Sequence, residues 1–213
     1  LATIVKVKGS TFRRPGARML VTEGGEMIGS ISGGCLEADV FEKAKKLMAT
    51  GETITAVYDM TAEDEVAWGL NQGCNGVIHL LLEPLEEKKS ESYIQFLQTC
   101  IHEQKGGAIA TLFRVDGELK ATVGTRLMLH ENGSVSENIK NPVLSAALLE
   151  DAQAALASSK SIVKEYRFTE GVAEAYIEAL HPPVPLYIFG AGTDVIPVAR
   201  FANELGWNVT VVD

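Results

Sequence analysis

The sequence predicts an α/β protein, and three observations carry that expectation. β-rich runs such as "ATIVKVKGS" and "GVIHLLLEPL" alternate with amphipathic runs of helical period. Glycines close the two clearest helical runs, Gly51 after the first and Gly106-Gly107 after the second. The last stretch, "LYIFGAGTDVIPVARFANELGWNVTVVD", reads strand, glycine turn, helix, strand, the order of a parallel βαβ unit. An N-terminal α/β domain built on a mixed sheet, followed by the start of a parallel βαβ domain, is therefore expected.

The elements follow in order. "ATIVKVKGS" is a strand, and "ARMLVTEGGEMIGSI" holds two more around a Gly24-Gly25 turn. Beyond Cys35, the apolar residues Leu36, Val40, Phe41, Ala44, Leu47 and Met48 recur every 3.6 residues or so, predicting a helix to about Thr50. "TITAVYDM" and "GVIHLLLEPL" are strands, and "EEKKSESYIQFLQTCIHEQKGG" is an amphipathic helix. Two hairpin signals, Asp116-Gly117 and Asn132-Gly133, punctuate the next β-rich stretch. An Ala- and Leu-rich helix begins at Asn141-Pro142, and "IVKEYRF" and "VAEAYIEAL" follow as strands. The prolines of "HPPVP" mark a linker. The expected division is residues 1–140 as the N-terminal domain, 141–183 as a connecting region, and 184–213 as the start of the C-terminal domain.

Composition narrows the function. The 213 residues are 46% hydrophobic and 22% charged, ordinary values for a globular chain able to bury a core. A net charge of −9 argues against a nucleic-acid surface, which is normally basic. No run of about 18 apolar residues offers a membrane span. Three cysteines make no even disulfide framework and nothing reads as a signal peptide, so a reducing cytoplasm is the expected compartment.

The glycine turn of the last stretch has a specific physical meaning. A Rossmann-like strand–turn–helix aims backbone N–H groups at a phosphate. Gly190 and Gly192 form such a turn, and Asp213, 23 positions after Gly190, stands where an acidic residue meets a ribose hydroxyl. Val195 departs from the pattern, because Gly or Ala there permits tight helix–strand contact. The turn is read either as an NAD(P)-binding loop or as an inherited piece of fold.

Two glycine-flanked cysteines carry the more informative signal. Cys35 follows Gly33-Gly34 at the mouth of a helix, and Cys74 sits between Gly73 and Asn75-Gly76 ahead of a strand. A thiolate is the nucleophile and metal ligand, and free amides at a helix start favour it. Glycine removes the bulk that would keep a large ligand away. Glu37 and Asp39, in the same turn, read as solvated partners of the helix end. The bland alternative for either cysteine is a small buried hydrophobe. Spaced 39 residues apart, the pair is no C-x-x-C motif, and His79, His102 and His130 are isolated. Cys100 lies on the inner face of the second helix. Arg13, Arg14 and Arg18 form the densest positive cluster, suited to a phosphate or simply to solvent. Together these features suggest a compact anionic ligand containing sulfur or metal.

The phrases "GSTFRRPGARMLV", "GSISGGCLEADV", "GLNQGCNGVIHLLLEPL" and the C-terminal βαβ stretch resemble the XdhC/CoxI family of xanthine dehydrogenase accessory factors. The resemblance is strongest over residues 3–85 and 184–213 and weak in the helical region between. It implies a protein, more chaperone than enzyme, that binds molybdenum cofactor and protects it. It also implies assistance with sulfuration through a cysteine desulfurase and with insertion into a molybdenum hydroxylase. On that analogy Cys35 and Cys74 meet the cofactor or its metal, with Gly33, Gly34, Gly73 and Gly76 giving it room. Arg14 and Arg18 match the basic segment, and Gly190 and Gly192 match the turn. Asn75, Thr193 and Val195 depart from the usual pattern, and Cys35 places the chain nearer the CoxI branch. Competing readings are an NAD(P)-dependent oxidoreductase and a thiol redox protein using Cys35 and Cys74. The β-rich half also offers edges through which a homodimer could form.

Overall fold

The computed structural model describes residues 1–61 and 75–213, with backbone alone for residues 87–89. Its main body is two five-stranded antiparallel sheets laid face to face, each with a helix on its outer side.

The first sheet contains β1 (Ala2–Ser10), β2 (Arg18–Val21), β3 (Met27–Gly29), β4 (Ile54–Asp59) and β5 (Asn75–Leu82), in the order β3-β2-β1-β5-β4. Helix α1 (Glu37–Thr50) covers it, packing Val40 and Leu47 on Ile4, Met19, Ile78 and Leu80. Ile78 and Leu80 are alternate residues of β5, so one face of the pleat supplies the floor. Gly51 ends α1 in the left-handed conformation, its amide donating to the Leu47 carbonyl.

The second sheet contains β6 (Gly107–Gly117), β7 (Arg126–His130), β8 (Val135–Glu137), β9 (Ile162–Phe168) and β10 (Gly171–Leu180), in the order β8-β7-β6-β10-β9. Helix α3 (Pro142–Ser158) covers its outer face through Leu144, Leu148, Ala152 and Ala155. Asn141 caps α3, its side chain accepting from the Val143 and Leu144 amides. Helix α2 (Glu87–His102) packs Tyr93, Phe96 and Cys100 on Ile109 and Met128, on the opposite face of this sheet. Beyond it, β11 (Pro185–Phe189), α4 (Val195–Glu204) and β12 (Asn208–Val212) form a parallel two-stranded βαβ unit.

Three expectations change. All strand pairs of the two main sheets are antiparallel, where a mixed sheet was expected. Residues 141–183 are not merely a connection: β10 is the strand between β6 and β9, so the second sheet is incomplete without them. Asp116-Gly117 is not the turn of a hairpin. Gly117 ends β6 opposite Gly171 of β10, and the chain loops through residues 118–125 before β7. Asn132-Gly133 does make the expected tight turn, with the His130 amide donating to Ser134 O at 2.9 Å.

The faces the two sheets turn toward each other are less greasy than their outer faces. Val5, Leu81, Phe113 and Tyr176 form a small apolar cluster. Around it three ion pairs cross from one sheet to the other: Lys6 with Glu174, Arg18 with Glu178, and Arg126 with Glu83. The three carboxylates are buried. A buried pair offsets its desolvation only when geometry is good, but removing one partner leaves an uncompensated charge. The Arg18 guanidinium meets both Glu178 oxygens and also donates to Gly16 O at 3.0 Å. Burial works against its charge, yet the hydrogen bonds and charge of Glu178, joined by Tyr93, outweigh that and raise its pKa. Truncating Arg18 to Met or Glu178 to Leu alone is expected to cost about 3–5 kcal/mol in urea unfolding, and the double substitution should restore most of it. A double variant as unstable as the sum of the singles would show that the pair has no specific coupling.

Candidate functional site

The site is built where β1 ends and β5 begins. Their ladder runs from Ala2 opposite Leu82 to Ser10 opposite Asn75, the residue that follows Cys74. Gly76 permits that end: a side chain there would meet Lys8 O at 2.6 Å and Ser10 O at 2.8 Å. Beyond Ser10 the chain enters the arginine-bearing loop, residues 11–17.

That loop is held at both ends. On one side Gly16 lies against Tyr176 and Glu178 of β10, where a Cβ would sit 2.8 Å from the tyrosine oxygen. The Gly16 amide donates to Ile4 O at 2.8 Å, and the Ile4 amide donates to Ala17 O at 2.9 Å. On the other side the Phe12 ring rests on Gly33, 3.6 Å from the position of a Cβ there. The arginine loop and the Cys35 loop are thus neighbours, the ring filling the space a Gly33 side chain would take. Arg13 and Arg14 are exposed and have no carboxylate partner among the described residues.

Cys35 is a free, half-buried thiol between exposed Gly34 and buried Leu36. Gly34 has φ of 112° and no described residue within 4 Å of where a Cβ would be, so among the described residues the approach over this backbone is open. Beneath it the chain is rigidly braced. Ser32 Oγ accepts from the Gly34 amide at 3.2 Å and the Leu36 amide at 3.1 Å. Glu37 turns back on the same loop: the Ser32 amide donates to Oε1 at 2.9 Å, the Leu36 amide to Oε2 at 3.2 Å, and the Ser32 hydroxyl also donates to it. One sequence expectation is corrected here. Glu37 is not a solvated acid but the brace of the loop, and with Ser32 it engages the Gly34 and Leu36 amides on either side of Cys35. Asp39 is exposed as expected, paired with Lys43 and accepting from the Tyr58 hydroxyl at 2.6 Å.

The other predicted residues divide clearly. Cys74 and Gly73 lie outside the described residues. Arg18 does not join Arg13 and Arg14, because its guanidinium faces inward to Glu178. Gly190, Gly192 and Asp213 belong to the βαβ unit and are exposed. Asp194 places a carboxylate oxygen 2.5 Å from where a Gly192 Cβ would be, putting negative charge at the turn where a phosphate would need positive. Cys100 is buried beside Phe96, as expected, and burial raises its pKa. Among the described residues no group of three or more His, Cys, Asp or Glu could hold a metal ion. Neither the 280 Å³ cavity beside Leu1, Leu47 and Leu82 nor the opening at the α3 start, lined by Asn141 and Phe168, includes Cys35. Sequence reasoning missed Ser32 and Phe12. Ser32 carried a readable signal, a small polar residue just before an apolar helical run. Phe12 carried none beyond its place between the motif and the arginines.

Partial burial works to raise the Glu37 carboxyl, but the serine and backbone donors outweigh it and hold it below the usual 4.5. A lowered folded pKa means stability that is fully present above 4.5 and lost as pH falls through the folded value. Glu37→Gln should therefore be less stable than the parent by about 0.5–2 kcal/mol near neutrality. The gap should close progressively on acidification, followed by urea unfolding at stepped pH. A gap independent of pH would contradict the brace.

The chain matches the XdhC and CoxI family over residues 1–59 and 100–167. The middle of the chain, where resemblance was expected to be thin, thus carries half of the match, and residues 184–213 lie outside it. A probable xanthine dehydrogenase subunit from Bacillus subtilis (strain 168) is 34% identical over 216 residues, covering 100% of this chain and 58% of that protein. The molybdenum cofactor insertion chaperone PaoD of Escherichia coli (strain K12) is 34% identical over 85 residues, 40% of this chain and 26% of that protein. Among solved structures, a xanthine dehydrogenase from Bacillus halodurans superposes with a TM-score of 0.72 at 29% identity, covering 99% of this chain and 56% of that one. The chain therefore spans little more than half the length of the two Bacillus relatives. With the family matched over more than half of its residues, and with the braced Gly-Gly-Cys loop inside the first matched segment, this chain belongs to the XdhC and CoxI family.

Proposed function

We propose that the protein binds molybdenum cofactor and serves its maturation and insertion into a molybdenum hydroxylase, acting as a carrier rather than a catalyst. The observation that carries this reading is that the arginine loop neighbours the Gly-Gly-Cys loop at Phe12 and Gly33. On this reading the open backbone at Gly34 and two arginines without a carboxylate partner among the described residues serve one ligand, with Cys35, packed in part against the core of the first sheet, as its donor.

The residues fit such a group. When bound, molybdenum cofactor supplies a sulfur-rich metal centre at one end and a phosphate at the other. Cys35 offers a soft donor suited to the metal end. Cys74, one peptide bond from Asn75, is proposed as its partner. Gly34 leaves backbone open for close approach, Gly73 is proposed to do the same, and Arg14 offers a fork for the phosphate; the expected room at Gly33 and Gly76 is instead taken by the Phe12 ring and by the Lys8 and Ser10 carbonyls. Arg18 holds the base of the loop. Assistance from a cysteine desulfurase, and sulfuration itself, are part of the proposal and rest on family kinship. The name of PaoD, an insertion chaperone, supports the insertion role, and that of the B. subtilis relative supports a client in the xanthine dehydrogenase group. No observation favours an NAD(P)-dependent reaction, and Asp194 at the Gly192 turn speaks against one.

The test is cofactor loading. Incubated with molybdenum cofactor and re-isolated, the parent chain should retain molybdenum and pterin, while Cys35→Ala with Cys74→Ala should retain at least about tenfold less, a loss of about 1.4 kcal/mol in binding. Equal pterin content in parent and double variant would remove the thiols from the site.

A further inference from the structure

Phe12 is 62% exposed and belongs to none of the four apolar clusters. Its ring is nevertheless fixed. It fills the space a Gly33 side chain would take, and the Arg13 guanidinium lies over the ring, 5.6 Å from its centroid. The loop carrying it is pinned through Gly16 and Arg18, and Thr11 Oγ1 donates to Arg13 O at 2.8 Å. A lone exposed aromatic is ordinary in itself. This one stands between two arginines that have no carboxylate partner among the described residues and a glycine-walled thiol loop. A flat heterocycle carrying a phosphate can take the place over the ring that the Arg13 guanidinium holds, while the two arginines, without a carboxylate partner among the described residues, take the anion.

We propose that Phe12 is a stacking platform for a planar heteroaromatic ring, with Arg13 and Arg14 receiving the phosphate attached to it. The proposal rests on the cofactor reading above and deepens it, for it assigns the pterin end of the ligand to Phe12, a residue outside the glycine-cysteine phrases.

The experiment measures quenching of pterin fluorescence by the 213-residue chain. Its probes are a 6-alkylpterin phosphate, the unphosphorylated 6-hydroxymethylpterin, and inorganic phosphate as competitor. Phe12→Tyr, which keeps the ring face, should bind both pterins as the parent does. Phe12→Leu, which keeps apolar bulk but not the face, should weaken both by about fivefold or more. Arg13→Gln with Arg14→Gln should weaken only the phosphorylated probe and abolish competition by phosphate. Because Phe12 is exposed, all these variants should unfold at the parent's temperature. Parent-like binding by Phe12→Leu overturns the platform and leaves the cofactor reading standing. Failure of the parent itself to bind either pterin overturns both.

Discussion

The bond between Arg18 and Glu178 is the constraint on which the rest of the structure depends. It joins residues 160 apart in sequence and ties the first sheet to the second. The same guanidinium holds Gly16 O, so the ion pair also anchors one end of the arginine loop. Gly16 can approach Tyr176 and Glu178 only because it lacks a side chain. With that end fixed, Phe12 is carried onto Gly33 at the other. A loop that would otherwise be a solvated connection becomes part of the surface around Cys35.

Charge is distributed along the same lines. The acids that face the interior are satisfied by Lys6, Arg18 and Arg126, while Glu37 is used up by Ser32 and Leu36. Among the described residues, Arg13 and Arg14 carry no carboxylate partner, and their loop lies beside Gly33. A net charge of −9 on the whole chain makes that local reversal of sign a means of choosing where an anion lands. Lys6, Arg114 and Glu174 lie near His79, whose pKa is lowered chiefly by burial, and they complete the interlayer without reaching the loop.

Local features were legible in the sequence, and distant pairings were not. The stop of α1 at Gly51, the Asn141 cap of α3 and the β11–α4–β12 order all follow from residues next to one another, and all are present in the fold. Asp116-Gly117 misled because the same dipeptide that makes a tight turn also ends a strand when a glycine, here Gly171, faces it from another strand. Arg18 looked like its neighbours Arg13 and Arg14, since nothing local announces that Glu178 will face it. Glu37 looked solvated because its true partner, Ser32, lies on the preceding loop rather than one helical turn away.

The proposed cofactor site requires the two glycine-flanked thiols to open onto the surface made by the arginine loop. Brief treatment of the native protein with a short bis-maleimide, followed by peptide mapping, tests it most directly. One chain should yield a bridge between Cys35 and Cys74, suppressed when a pterin phosphate is present. Single adducts on both cysteines with no bridge would place the thiols apart and contradict the claim.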